Sequence, residues 1–211
     1  VLALYDAGGD QQTTPFSFKL NIMRKLIAEE WISLDGFAVD KQGSLDFFPT
    51  TEENRYADER QLKFLDTVDM ILLGRKTYEL FVDYWPTVST EKELIADKLN
   101  EIPKVVISNS LERAPWGSWA PATIMSGDAV SAIRRLKQLP GKNIILWGSI
   151  SLLQSLVKAD LIDQYRMQIC PSIVGGGRAL FDAAEQYKSL TVVEQGVTPS
   201  GVVYVHYERG R

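Results

Sequence analysis

One cysteine, Cys170, and one histidine, His206, stand in 211 residues. A lone cysteine excludes an intrachain disulfide and argues strongly against a cysteine-based zinc site, so no metal is expected. This cysteine usage is compatible with a reducing cytosol, and a cytoplasmic location is the expectation. A Ser-His-Asp or Cys-His mechanism would have to use His206. That residue lies in an alternating, strand-like stretch near the C-terminus with no nucleophile motif pointing at it, so a structural or solvent-facing role is expected. No apolar run is long enough to cross a bilayer. The formal charge is −4, which makes no global case for nucleic-acid or membrane attraction. Neither the Gly-x-Gly-x-x-Gly fingerprint nor the phosphate loop Gly-x-x-x-x-Gly-Lys-Ser/Thr occurs. A standard Rossmann dehydrogenase and a nucleotide triphosphatase are therefore poorly supported.

The apolar and charged fractions, 45% and 24%, are those of a globular protein able to bury a core without staples. Residues Val1–Ile22 are polar, aperiodic and unlike the rest, and lack the basic and apolar regions of a signal peptide. They read as an expression remnant, an upstream extension or an arm that packs on a neighbour, with a natural start at Met23-Arg24-Lys25-Leu26. Residues 23–211 contain no repeat, no low-complexity tract and no clear linker, so one domain is expected.

Strands and helices alternate along most of that domain. Leu26 to Leu34 reads as the first strand, turning at Ser33-Leu34-Asp35-Gly36 into a loop rich in phenylalanine (Phe37, Phe47, Phe48). Thr50 or Thr51 can cap a helix reaching about Asp66, with Glu52 and Glu53 suited to its positive end. Strand Val68–Leu73 runs into a helix opened by Gly-Arg-Lys-Thr and ended by Trp85-Pro86. An amphipathic helix from Glu91 to Leu99 stops at Pro103. Strands follow at Lys104–Ser108, Ala122–Met125 and Asn143–Trp147. A helix capped by Ser126 or Asp128, burying Val130, Ile133, Leu136 and Leu139, precedes the last of these, and one spanning about Ile150–Lys158 follows it. The alternation predicts an α/β fold with a largely parallel sheet and helices on both faces. After the strand Asp163–Cys170 and a flexible loop Val174-Gly-Gly-Gly177, Leu190–Gln195 and Val202–Tyr207 alternate with period two. They predict an antiparallel hairpin that completes one sheet edge.

Three strand ends carry matching chemistry. Met70 to Glu79 is an apolar strand that stops at Gly74 and opens a helix with Arg75, Lys76 and Thr77. Ser108-Asn109-Ser110 ends a second strand, with Arg113 close behind, and Gly148-Ser149 opens a helix after a third. Each alone is an ordinary turn. In open α/β sheets, however, ligands sit outside the carboxyl ends of the strands, where free helix N–H groups favour anions. None of the three turns carries an acid. Hydroxyls with arginine favour the extra 2′-phosphate of a dinucleotide such as NADPH over the bare ribose of NADH.

Leu72-Leu73-Gly74-Arg75-Lys76-Thr77-Tyr78-Glu79 resembles the Gly-Arg-x-Thr-Tyr/Trp-Glu signature of dihydrofolate reductases, and Lys104–Ser108 resembles their next cofactor strand. Ile145-Leu-Trp-Gly148-Ser149, Ala159-Asp-Leu-Ile-Asp163 and Pro171-Ser-Ile-Val-Gly-Gly-Gly177 with Leu180-Phe181 are more similar to the reductase domain of the bacterial riboflavin biosynthesis protein RibD and its stand-alone relatives. The likeness spans Met23 to Tyr207. It implies a dihydrofolate reductase-like fold and cofactor contacts from Gly74, Arg75, Lys76 and Thr77, with Ser108 and Asn109 near the 2′-phosphate. It implies further that Gly148, Ser149 and Ile150 bring a helix start to the pyrophosphate, and that the Ala28 backbone meets the nicotinamide carboxamide. Substrate would sit between the loop of Ser33, Asp35 and Gly36 and the following helix. Counting back from Gly74 without gaps, the carboxylate that faces the pterin falls on Asp58, the candidate catalytic residue. Its alternative is a solvated acid in the run Asp58-Glu59-Arg60.

Two departures bear on substrate: Trp147-Gly148 replaces the usual Gly-Gly pair, and the Pro-Trp loop element is missing, with Phe47-Phe48-Pro49 nearby. No His-x-Glu or Pro-Cys-x-x-Cys deaminase pattern is present. The resemblance thus implies an NADPH-dependent reductase of the riboflavin-pathway type, moving hydride to an open or imine-like sugar carbon on an aminopyrimidine. A reductase of folates, pterins or other small compounds is one alternative, and a non-catalytic NADPH-binding protein is another. It also implies a homodimer, for which the hairpin valines Val192, Val193, Val202, Val203 and Val205 make a candidate surface.

Overall fold

The computed structural model describes residues 24–181 and 188–210, without the side chains of residues 51–54. The N-terminal extension and Met23 lie outside the described residues, as do the capping and charged side chains expected at Thr51, Glu52 and Glu53.

The apolar runs form the middle of a sheet because both of their faces are buried. The parallel strands are β1 (Leu26–Ser33), β3 (Val68–Gly74), β4 (Lys104–Ile107), β5 (Thr123–Met125), β6 (Asn143–Trp147) and β7 (Gln164–Cys170). β9 (Leu190–Val197) and β10 (Val203–Arg209) run antiparallel, and the eight strands lie in the order β5-β4-β3-β6-β1-β7-β10-β9. The sheet is thus mostly parallel, with an antiparallel C-terminal edge.

Alternate residues of each strand face opposite layers. Leu72, Ile144 and Leu146 pack under α4 (Ala129–Gln138) and α5 (Ile150–Lys158) with Ile133, Leu153 and Leu156. Ile71, Leu73 and Ile145 pack on the other face with Leu65 of α1 (Thr51–Leu65), Tyr78 of α2 (Arg75–Val82) and Leu99 of α3 (Ala96–Glu101). Full burial of each such side chain contributes about 1.5–3 kcal/mol before entropy is counted. The Ala159–Asp163 segment locks the two halves together. Asp160 takes a left-handed turn (φ 56°), and Asp163 accepts from Leu26 N at 2.7 Å while pairing with Lys137 of α4.

Several elements differ from expectation. The third helix is shorter and later than Glu91–Leu99. Residues before Ala96 form turns, and Asn100 is tied to Trp85 O and Trp116 Nε1. Leu139 is 51% exposed, because it caps α4 rather than continuing its apolar face. The glycine loop is tied to the Asp35 turn. Asp35 accepts from Val174 N and Gly175 N, and a Cβ on Gly177 would lie 2.1 Å from Val39 O. This closeness lets β2 (Phe37–Val39) pair with β8 (Arg178–Ala179) in a small second sheet absent from the sequence reading. In the hairpin, Val202 and Val205 are core residues. Only Val192, Val193 and Val203 of the expected dimer surface are exposed, joined by Val197. His206 bonds Gln164 Oε1 at 3.1 Å within the sheet; burial foremost, then Arg166, lowers its pKa.

Candidate active site

The three turns singled out by sequence lie at the carboxyl ends of adjacent strands β4, β3 and β6. Gly74 is the N-cap of α2 and Ser149 that of α5, and neither helix start is capped by a side chain. Ser149 Oγ joins them, accepting from Gly74 N at 2.5 Å and donating to Thr77 Oγ1 at 2.9 Å. The junction tolerates no larger residue. A Cβ on Gly74 would stand 2.8 Å from Ser149 Oγ, and one on Gly148 (φ 64°) would stand 2.8 Å from Thr77 Cγ2. Ser149 itself holds a left-handed backbone (φ 71°, ψ 61°), a strained conformation for a residue with a side chain. Two helix starts with free N–H groups therefore sit side by side, with Ile150 as the first residue of α5. Arg75 and Lys76 are exposed at the same place, Arg75 pairing with Glu79 at 2.7 Å.

Ser108 follows Ile107, which is in register with Gly74. Its buried Oγ accepts from Ser110 N and Leu111 N, fixing the turn, while Asn109 Oδ1 accepts from Gly127 N at 2.6 Å. The cofactor candidates from Gly74 to Ile150 thus share one sheet edge. Ala28 is different: it lies mid-strand, opposite Leu146 and Tyr165, with its side chain in the core under α4 and α5.

Beside this edge, on the α1 side of the sheet, is a cavity of about 180 Å³. Trp31, Trp85 and Trp147 are among its walls, and Asp58 and Gln61 reach it from α1. Asp58 is 7% exposed, so it is not a solvated surface acid. Burial first and the nearby Glu93 second push its pKa up to about 6, opposed by the Leu94 backbone N–H. Glu93 itself accepts from Tyr84 OH. Glu29, also lining the cavity, pairs with Arg166 Nε at 2.7 Å. Arg166 lies over the Phe64 ring at 3.8 Å and donates to Gln61 Oε1 at 3.2 Å.

Sequence reasoning missed Glu29, Gln61, Arg166 and Gln168. The available signal was an acid pair inside the apolar strand Leu26–Ser33 and polar residues at alternate positions of Gln164–Cys170. The loop candidates Ser33, Asp35 and Gly36 do not line this cavity. Ser33 Oγ donates to Asp35 Oδ1 at 2.6 Å and accepts from Phe37 N, and Gly36 (φ 85°) makes the turn. Their polar groups hold the loop against the glycine segment. Among the described residues, no cluster of His, Cys, Asp or Glu suits a metal ion, and no helix is long and apolar enough to cross a membrane.

A mostly parallel sheet with these helix starts at its carboxyl edge and an antiparallel C-terminal edge is a dihydrofolate reductase-like fold. Dihydrofolate reductase from Enterococcus faecalis, in a structure containing NADP(H), superposes with a TM-score of 0.58 over 89% of this chain and 97% of that one, at 12% identity. The chain belongs to the RibD C-terminal domain family, whose profile matches residues 24–204. A riboflavin-biosynthesis-type protein from Shewanella sp. PV-4 superposes with a TM-score of 0.68 at 25% identity, over 89% of this chain and 99% of that one. The Bacillus subtilis protein YyaP, itself uncharacterized, is 30% identical over 187 residues, covering 87% of this chain and 94% of YyaP.

Proposed function

We propose that this protein is an NADPH-dependent reductase of the riboflavin-pathway type, acting on a small aminopyrimidine-like ring at an imine-like carbon. One observation carries the assignment. Trp147 lines the Asp58 cavity and is followed directly by the Gly148-Ser149 turn that packs on Thr77. The dinucleotide candidates and the candidate acid therefore meet at one residue.

The residues present fit such a cofactor. The uncapped starts of α2 and α5 suit a diphosphate, and exposed Arg75 and Lys76 add positive charge beside them. Bound NADPH supplies the hydride. This chain's own residues do the rest. The tryptophan walls hold a flat ring and exclude water. Asp58 holds a proton at the cavity wall, retained by a useful fraction of molecules up to about pH 6. That proton would be available to the nitrogen of a C=N bond reduced beside it. Glu29 is held in place by Arg166.

Steady-state NADPH oxidation against aminopyrimidine, pterin and simple imine substrates tests the assignment. Turnover with one of these, falling as pH rises above about 6, supports it. Absence of NADPH binding by calorimetry refutes it. Tight NADPH binding with no turnover, unchanged in Asp58→Asn, supports a non-catalytic binding protein instead. We also assign a homodimer to the β9 edge, an outermost strand whose Val192, Val193 and Val197 are exposed. Light scattering of wild type and Val193→Lys tests that contact.

A further inference from the structure

Two residues that line the cavity each carry a buried side-chain atom with no hydrogen-bond partner: Gln61 Nε2 and Gln168 Oε1. Their residues are 6% and 5% exposed. Buried polar atoms without partners are rare in native proteins, because each forfeits its hydrogen bond to water. The orientation of Gln61 is set by chemistry. Arg166 only donates, so the oxygen of Gln61 faces Arg166 and its amide nitrogen is left over as a donor. Gln168, in register with Trp31 on β1, leaves an acceptor. The cavity lining therefore includes one residue with an unmet donor and one with an unmet acceptor, among aromatic side chains.

We propose that Gln61 and Gln168 form a reading pair for a ring edge that carries adjacent C=O and N–H groups. Gln61 Nε2 donates to the ring carbonyl, and Gln168 Oε1 accepts from the ring N–H. The surrounding charge narrows the ligand further. Asp58, Glu29 and Glu93 line the cavity, and none of its lining residues is lysine or arginine. No cation in that lining would pair with an anionic group, so the cavity suits an uncharged ring. At about 180 Å³ the space suits one ring rather than a drug-sized ligand, for which roughly 300 Å³ or more is usual. The inference rests on the reductase assignment for its site, and adds the residues and groups that select the ring.

Calorimetry of the full chain with 6-aminouracil and its 1,3-dimethyl derivative, with and without NADP, tests it. Methylation removes the ring N–H donors. In wild type the dimethyl compound binds about tenfold more weakly or worse, the loss set by one buried hydrogen bond. In Gln168→Met, of similar volume, 6-aminouracil weakens by a similar factor and the methylation penalty vanishes. Gln61→Leu weakens 6-aminouracil without changing the response to methylation. Circular dichroism melts establish that each variant is folded. A penalty that persists in Gln168→Met is steric and overturns the proposal. So does failure of 6-aminouracil to bind wild type. NADP binding in the same titrations reports separately on the reductase assignment. If NADP binds and the rings do not, only the reading pair is lost.

Discussion

Replacing Asp58 by asparagine is expected to stabilise the protein while slowing it. The carboxyl rises from 3.8 to about 6 on folding, chiefly through burial and secondly through Glu93. About two pKa units correspond to about 3 kcal/mol that the native state gives up by holding this group ionised. The sign follows from the direction of the shift. A raised carboxyl favours the fold below its unfolded pKa, and that advantage is lost as pH climbs through the folded value. At about pH 4.5 the deficit is about 1 kcal/mol, and by about pH 8 it reaches the full amount. Asparagine carries no charge, and its oxygen can still accept from the Leu94 N–H. In urea titrations, Asp58→Asn gains about 2 kcal/mol on wild type between those two pH values. Over the same range wild-type turnover falls about tenfold per pH unit above about 6, whereas the variant is slower by about 10²–10⁴-fold and nearly flat with pH. A stability difference that does not change with pH, or equal turnover in the two proteins, refutes the argument that Asp58 is a buried proton donor.

Gly148→Ala meets both a left-handed backbone and the Thr77 methyl group, so it weakens NADPH binding at least tenfold and lowers the melting temperature. Fluorescence titration and a thermal melt check both effects. Asp163→Ala leaves the buried Lys137 without its counter-charge, with only Leu161 O to accept from it, and loses the bond to Leu26 N, costing about 3–5 kcal/mol in urea unfolding. Burial lowers the Lys104 pKa to about 7, where its ammonium donates to Asn100 O and lies 4.7 Å from the Trp116 ring centre. The unfolded lysine binds its proton more tightly. Wild type therefore gains on Lys104→Met by up to about 1.4 kcal/mol per pH unit between about pH 7 and 9.5, read from paired denaturation curves.

The architecture was legible wherever the pattern was simple. Ile71-Leu72-Leu73 and Ile144-Ile145-Leu146 are apolar on both faces because helices cover both sides of the sheet, and such runs read as central parallel strands. The strand-end turns were legible because glycine and hydroxyl residues cluster at sharp changes of direction. The cavity was only half legible. Asp58 follows from counting back from Gly74, but its burial depends on the turns around Glu93 and Leu94, which local periodicity does not encode. Glu29 and Arg166 sit 137 positions apart in sequence, and only the β1–β7 pairing brings them together. Ser33 and Asp35 looked like ligand groups, yet they satisfy each other and the glycine segment, a use that composition alone does not reveal.

Co-crystallisation with NADP tests the central claim most directly. The account predicts a diphosphate at the paired starts of α2 and α5, with the nicotinamide ring beside Trp147 at the mouth of the Asp58 cavity. A dinucleotide bound elsewhere, or no dinucleotide at saturating concentration, would contradict it.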